Sequence, residues 1–147
     1  MKITTNAFIF FENKLLVVHH RKLGFWLHPG GHVDEGESFL NALLREIKEE
    51  VGLDVLVISN DCFKTKKYNH VKDEPVPFRV SFSESKKAIR LDYIAKAHSN
   101  IITLQKKELL DYKWIDKREI DTLNTTPLFK ELANQAFQYF ESIKHHE

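Results

Sequence analysis

The chain predicts an α+β fold, on the strength of three observations. Strand-like runs open it, one amphipathic helix stands near the middle, and a second helix closes it after further strand-like runs. Its 147 residues, 42% hydrophobic and 29% charged, suffice for one domain with a core of its own. No repeat, linker or low-complexity stretch divides it, so residues 1–147 read as a single domain.

Taken in order, residues 3–11 (ITTNAFIFF) and 15–20 (LLVVHH) read as two strands joined across Glu12-Asn13-Lys14, a hairpin. A loop through Arg21 to Gly24 leads to a glycine-rich turn at 29–31. The mid-chain helix runs from Phe39 to Val51, with Ser38 suited to its N-cap and Gly52 to the residue just past its end. At 100° per residue its apolar stripe is Leu40, Leu43, Leu44, Ile47 and Val51. Residues 53–59 and parts of 62–68 are strand-like, and Pro75 and Pro77 break regularity over 69–77. Residues 78–82 and 88–97 alternate as strands do. Residues 98–109 are polar and loop-like, and Asp111 to Ile115 is a short strand. From Pro127 onward, Leu128, Phe129, Leu132, Ala133, Ala136, Phe137, Phe140 and Ile143 recur at helical spacing and predict core packing.

Composition limits the function. A formal net charge of +1 gives no global attraction to nucleic acid or to an anionic membrane. The single cysteine, Cys62, excludes an intrachain disulfide framework and suits a reducing compartment. The N-terminal run lacks a signal peptide's long apolar region, and no stretch reaches the roughly eighteen apolar residues of a membrane span. A soluble cytoplasmic protein is the expectation.

The central helix holds a contradiction. Glu46, Glu49 and Glu50 share one face at i,i+3 and i,i+4 spacings, where like charges repel. They also fall in the last two turns, where the helix dipole disfavours anions by roughly 0.3–1 kcal/mol each. A missing cation resolves both costs, and hard oxygen donors of this kind suit Mg²⁺ or Mn²⁺.

The cluster belongs to a longer pattern: Gly31, five residues, Glu37, seven residues, then Arg45-Glu46-Ile47-Lys48-Glu49-Glu50-Val51-Gly52-Leu53. At every fixed position this resembles the signature of the Nudix hydrolases, and chance agreement has a probability on the order of 10⁻⁸. The preceding Trp26-Leu27-His28-Pro29-Gly30-Gly31 is also similar to the approach found in that family. The resemblance sharpens the fold to an α/β/α sandwich around a mixed β-sheet. It implies a metal-dependent pyrophosphohydrolase, with water attacking a phosphorus of a nucleoside diphosphate linked to another group.

Residue by residue, the resemblance makes Glu46 and Glu50 the leading metal ligands, with Glu49 contributing and the Gly30 carbonyl as backbone ligand. Arg45 would orient a carboxylate. Glu37 would join the metal shell directly or through water, or else cap the helix. The general base is a box glutamate (Glu46 or Glu49) or Glu108 on the loop ahead of Trp114. Asp92, Trp26 and His32 are the substrate-contact candidates. The other histidines, His28 among them, read as loop or surface residues, and His145-His146 as solvated. Phe25, Tyr68 and Phe78 lie on segments that line the cleft in relatives, although core placement is the safer assumption for any one aromatic. A small nucleotide-type molecule is the expected partner, with no membrane and with a homodimer left open. Two other functions compete: a nucleotide sensor without catalysis, against which every acidic position of the pattern is kept, and RNA 5′-end hydrolysis. The second would need a basic patch such as Lys64, Lys66 and Lys67.

Overall fold

The computed structural model describes residues 1–59, 65 and 68–144. Cys62, the lysines at 64, 66 and 67, most of the strand-like run over 62–68, and His145-His146 lie outside the described residues. The elements are β1 (Lys2–Phe11), β2 (Lys14–His20), β3 (Trp26–Leu27), β4 (Gly30–His32), α1 (Phe39–Val51), β5 (Val55–Ile58), β6 (Arg79–Ser83), β7 (Ala88–Ala97), β8 (Leu109–Ile115), a 3-10 turn (Lys117–Ile120) and α2 (Pro127–Lys144).

The sheet is built on two long parallel strands. β1 runs beside β7 from Lys2 opposite Ala88 to Phe10 opposite Lys96. Every other pairing is antiparallel, so the sheet is mixed. On its free side β1 pairs first with β4 and then with β2, while β7 pairs with β6 and then with β5. β2 leaves β1 after Phe10–Leu15 and Phe11–Lys14, and continues between β8 and β3. The glycine-rich segment enters the gap so formed, where the Ala7 N–H donates to the Pro29 carbonyl at 3.0 Å.

Alternation along β1 sorts its side chains to two cores. Ala7 and Ile9 meet Leu43, Ile47 and Val51 of α1, together with Leu16, Val18, Leu91 and Tyr93. Phe8 and Phe10 meet Phe129, Leu132, Ala136, Phe137 and Phe140 of α2, together with Val17, Ile94 and Ile115. A helix on each face of a mixed sheet is the α/β/α sandwich that the resemblance implied.

The ends of α1 are fixed as its sequence predicts. The Ser38 hydroxyl accepts from the Asn41 N–H, and Gly52 takes a left-handed conformation at φ 71°. Its buried face is shifted from the predicted stripe: Leu40 and Leu44 are only half-buried, while Ala42 and Glu50 are buried. β3 and β4 also go beyond the predicted loop and turn, since β1 and β2 supply the pairing that two or three residues cannot specify alone.

Phe10 stacks on Phe140 with centroids 4.2 Å apart and meets Phe137 edge-on at 5.1 Å. Phe10→Ala should cost about 3–5 kcal/mol in urea denaturation. A loss below about 1 kcal/mol would show that this layer is not the continuous core described here.

Candidate active site

The site begins where β4 touches α1. Gly30 and Gly31 sit opposite Asn6 and Thr5 of β1. A Cβ on Gly30 would lie 2.2 Å from the Thr5 carbonyl oxygen, and one on Gly31 would lie 2.3 Å from the Glu46 carboxyl carbon. Only glycines let the strand lie so close to both the sheet and the helix. The closeness permits one decisive contact: the Gly30 N–H donates to Glu50 Oε1 at 3.0 Å.

Glu50 is 3% exposed, and its other oxygen, Oε2, has no partner among the described residues. Burial pushes its carboxyl up to about 8, against the opposing effect of the Gly30 hydrogen bond. Desolvation likewise raises Glu46, with hydrogen bonding from Arg45 acting the other way. Acid groups so placed are under-compensated.

Arg45 supplies the positive charge nearest to hand. Its Nε donates to Glu37 Oε2 at 2.7 Å and its Nη2 to Glu37 Oε1 at 3.0 Å. Its Nη1 donates to Glu46 at 2.9 Å and to Glu49 at 3.3 Å, and Nη2 also reaches the His32 carbonyl at 3.1 Å. The orienting role expected for Arg45 therefore has its contacts. Glu37 does not cap the helix. Both its oxygens face Arg45, whose hydrogen bonds hold the carboxyl down at about 2, and capping of α1 falls to Ser38. Among the described residues no three acidic, histidine or cysteine side chains are already drawn together as a metal cage. Glu46 and Glu49 both accept from Arg45 Nη1, while Glu50 turns to Gly30. The donor set still suits a hard divalent ion: all oxygen, excess negative charge, and one buried carboxylate oxygen unsatisfied.

The loop ahead of β8 completes this end of the helix. The Gln105 N–H donates to the Glu50 carbonyl at 2.8 Å and the Thr103 N–H to the Val51 carbonyl at 3.0 Å. These bonds satisfy helix carbonyls that would otherwise lack partners. They also bring Glu108, exposed on the same loop, near enough for its charge to help raise both Glu46 and Glu50.

On the α2 side of the sheet lies a cleft of about 740 Å³. Gly31 and His32 form the end nearest the glutamates, Lys2, Lys86 and Arg90 bring positive charge, and Phe25, Leu27, Leu128 and Phe129 are apolar walls. Among the described residues no aspartate or glutamate lines it. His32, a substrate-contact candidate from the sequence, thus lines this cleft. Trp26 is not brought to the cleft; its indole lies between His19, at 4.9 Å, and the Lys113 ammonium, at 4.4 Å. Phe25 lines the cleft, Phe78 packs edge-on against Phe8 in the core, and Tyr68 is exposed. Asp92 is fully buried behind the lining, 2.8 Å from His28 Nε2. The reading of His28 as a loop or surface residue is corrected: it is 5% exposed and forms part of the cleft wall.

The geometry is that of a glycine turn locked onto a carboxylate-rich helix at the mouth of a cationic cleft. The chain belongs to the NUDIX domain family, whose model matches residues 2–138. A NUDIX-family hydrolase from Clostridium perfringens has the same fold, with a TM-score of 0.78, 24% identity, and coverage of 94% of this chain and 97% of that one. An RNA pyrophosphohydrolase of Campylobacter jejuni is 43% identical over 49 residues, 33% of this chain and 31% of that protein. An 8-oxo-dGTP diphosphatase of Proteus vulgaris is 53% identical over 32 residues, 22% of this chain and 29% of that protein. The match thus spans about a third of the length of each of these two curated relatives. Among the described residues no helix is long and apolar enough to cross a membrane.

Burial of Glu50 has a consequence for the metal-free protein. A carboxyl raised from 4.5 to about 8 contributes stability that is complete below the lower value and lost as pH rises through the upper one. Metal-free Glu50→Gln should therefore melt above wild type at pH 8.5, with the difference shrinking toward pH 5. A variant that melts lower at pH 8.5 would contradict this account of the helix.

Proposed function

We propose that the protein is a divalent-metal-dependent pyrophosphohydrolase that splits a nucleoside diphosphate linked to another group. The observation that carries this reading is the juxtaposition of two opposite charge fields. Buried, under-compensated Glu50 stands with Glu46 and Glu49 on one side of Gly31, and a cleft lined, among the described residues, by three cations and no acid opens on the other. A phosphate-rich molecule suits the second field, and the ion that would bridge it to the first suits the carboxylates.

Glu46, Glu49, Glu50 and the Gly30 carbonyl would hold the ion, Mg²⁺ by preference and Mn²⁺ as its substitute. When bound, such an ion neutralises phosphate charge and acidifies a water. The chain's own groups do the rest. Lys2, Lys86 and Arg90 offset the charge of the bound phosphates, and His32 lies at the cleft end beside the reacting bond. Arg45, anchored by Glu37, fixes Glu46 and Glu49 in place, so Glu37 serves the site through Arg45. The reaction is attack of a water oxygen on phosphorus, with cleavage of the bond to the bridging oxygen. Glu108 takes the proton of that water. Positioning and electrostatics supply most of the acceleration.

The near-neutral chain favours a small nucleotide or nucleotide-derived metabolite over RNA. The similarity to an RNA pyrophosphohydrolase keeps RNA among the substrates to be tried. The deciding experiment is a hydrolysis screen with Mg²⁺ and Mn²⁺ over nucleoside triphosphates, dinucleoside polyphosphates, nucleotide sugars, ADP-ribose and RNA, with products identified. Cleavage at a phosphoanhydride bond that requires the metal is the expected result. Nucleotide binding without any cleavage would instead make the domain a sensor.

With the substrate found, Glu108→Gln at saturating Mg²⁺ should lower kcat by roughly 10²–10⁴. Turnover near wild type across a pH series would remove Glu108 from the reaction and return the role of base to Glu46 or Glu49.

A further inference from the structure

Arg21 has no part in the chemistry above, yet it bonds twice to the loop that carries Glu108. Its backbone N–H donates to the Glu108 carbonyl at 2.9 Å, and its side-chain Nε donates to the Lys106 carbonyl at 2.6 Å. Lys107 is thereby bracketed by two bonds from one residue.

A slip of one residue in the sheet puts the two segments opposite each other. Along β2 and β8, His19 pairs with Asp111 but His20 pairs with Leu109. Continued without that slip, the ladder would set Arg21 against Leu109. With it, Glu108 is the next residue in line, where the 2.9 Å bond finds it. Bulges of this kind recur beside active sites, because they re-aim a side chain.

Both partners are held on their own side. Arg21 opens the turn between β2 and β3, closed by bonds from the Gly24 N–H to the His20 carbonyl at 2.9 Å and from the His20 N–H to the Phe25 carbonyl at 3.1 Å. The Glu108 loop is tied to the end of α1 at Gln105 and folds on itself there. The Glu108 and Leu109 N–H groups donate to the Gln105 carbonyl at 3.4 and 3.1 Å. Arg21 grips the opposite limb of this turn. Its side chain is exposed, where fixing an arginine costs rotamer freedom that water alone would not repay.

We propose that Arg21 is a positioning residue for the reaction, whose side chain holds the turn at Lys106 so that the Glu108 carboxylate stands where the attacking water is deprotonated. The inference rests on the reading of Glu108 as the base and adds the residue that places it. The role needs an N–H donor four atoms beyond Cα and needs no charge. Arg21→Gln keeps a donor at that atom and loses the charge. Arg21→Met keeps the length and loses both.

The test uses the protein with saturating Mg²⁺ and a substrate from the screen above. Arg21→Met should lower kcat by roughly three- to tenfold and leave KM within about twofold of wild type. Arg21→Gln should recover most of that loss. In the double variant with Glu108→Gln the effect should vanish, with turnover no slower than in Glu108→Gln alone. Amide hydrogen exchange needs no substrate: Glu108 and Leu109 should exchange severalfold faster in Arg21→Met and at the wild-type rate in Arg21→Gln. Equal losses in the Met and Gln variants would assign the effect to charge, and a loss confined to KM would assign it to substrate binding. Either result overturns the proposal. So does wild-type kcat in Arg21→Met while Glu108→Gln is slow, or equal amide protection in all three proteins. Near-wild-type turnover in Glu108→Gln would defeat the base reading itself and remove this inference with it.

Discussion

The hydrogen bond from the Gly30 backbone to Glu50 is the contact on which the rest of the site depends. It ties the short strand β4 to the end of α1, and it can form only because neither Gly30 nor Gly31 carries a side chain. Through it a carboxylate is drawn into the protein, where a single hydrogen bond leaves half of its accepting capacity unused. The helix would be more stable with an apolar residue there.

Opposite charges are held apart across one strand, although the whole chain sums to only +1. Glutamates gather on the α1 side and cations line the cleft on the α2 side, with Gly31 between them. Arg45 is the exception that makes the arrangement stable before any ligand arrives. Its guanidinium faces Glu37, Glu46 and Glu49 at once, and Glu37 keeps it in place. The loop carrying Glu108 is fixed in turn by bonds to the last carbonyls of α1, so that the carboxylate-rich end of the helix is held from two directions.

Much of this was legible in the sequence where periodicity or spacing carried the information. The helix from Phe39 to Val51 and both its caps are found as expected, because caps and apolar spacing are local properties. The long strands β1, β2 and β7 alternate or run apolar strongly enough to be read directly. β3 and β4 were not, since their pairing is imposed by neighbours far along the chain. The same holds for Trp26, whose surroundings are set by His19 and Lys113, and for His28, whose partner is 64 residues away. No local signal links residues 28 and 92. Only the register of β1 against two strands does so. The ion pair of Glu37 with Arg45 is equally non-local, since their distance depends on how the loop from Gly31 folds back onto the helix.

If the carboxylates of α1 form an incomplete cation site, the most direct measurement is Mn²⁺ binding itself, by paramagnetic resonance of free ion or by calorimetry, in the absence of any nucleotide. Wild type should bind Mn²⁺ competitively with Mg²⁺, and Glu46→Gln and Glu50→Gln should each weaken that affinity by about tenfold or more. Undiminished affinity in both folded variants, or no binding by wild type, would contradict the claim that these glutamates are placed where they are for the sake of a metal.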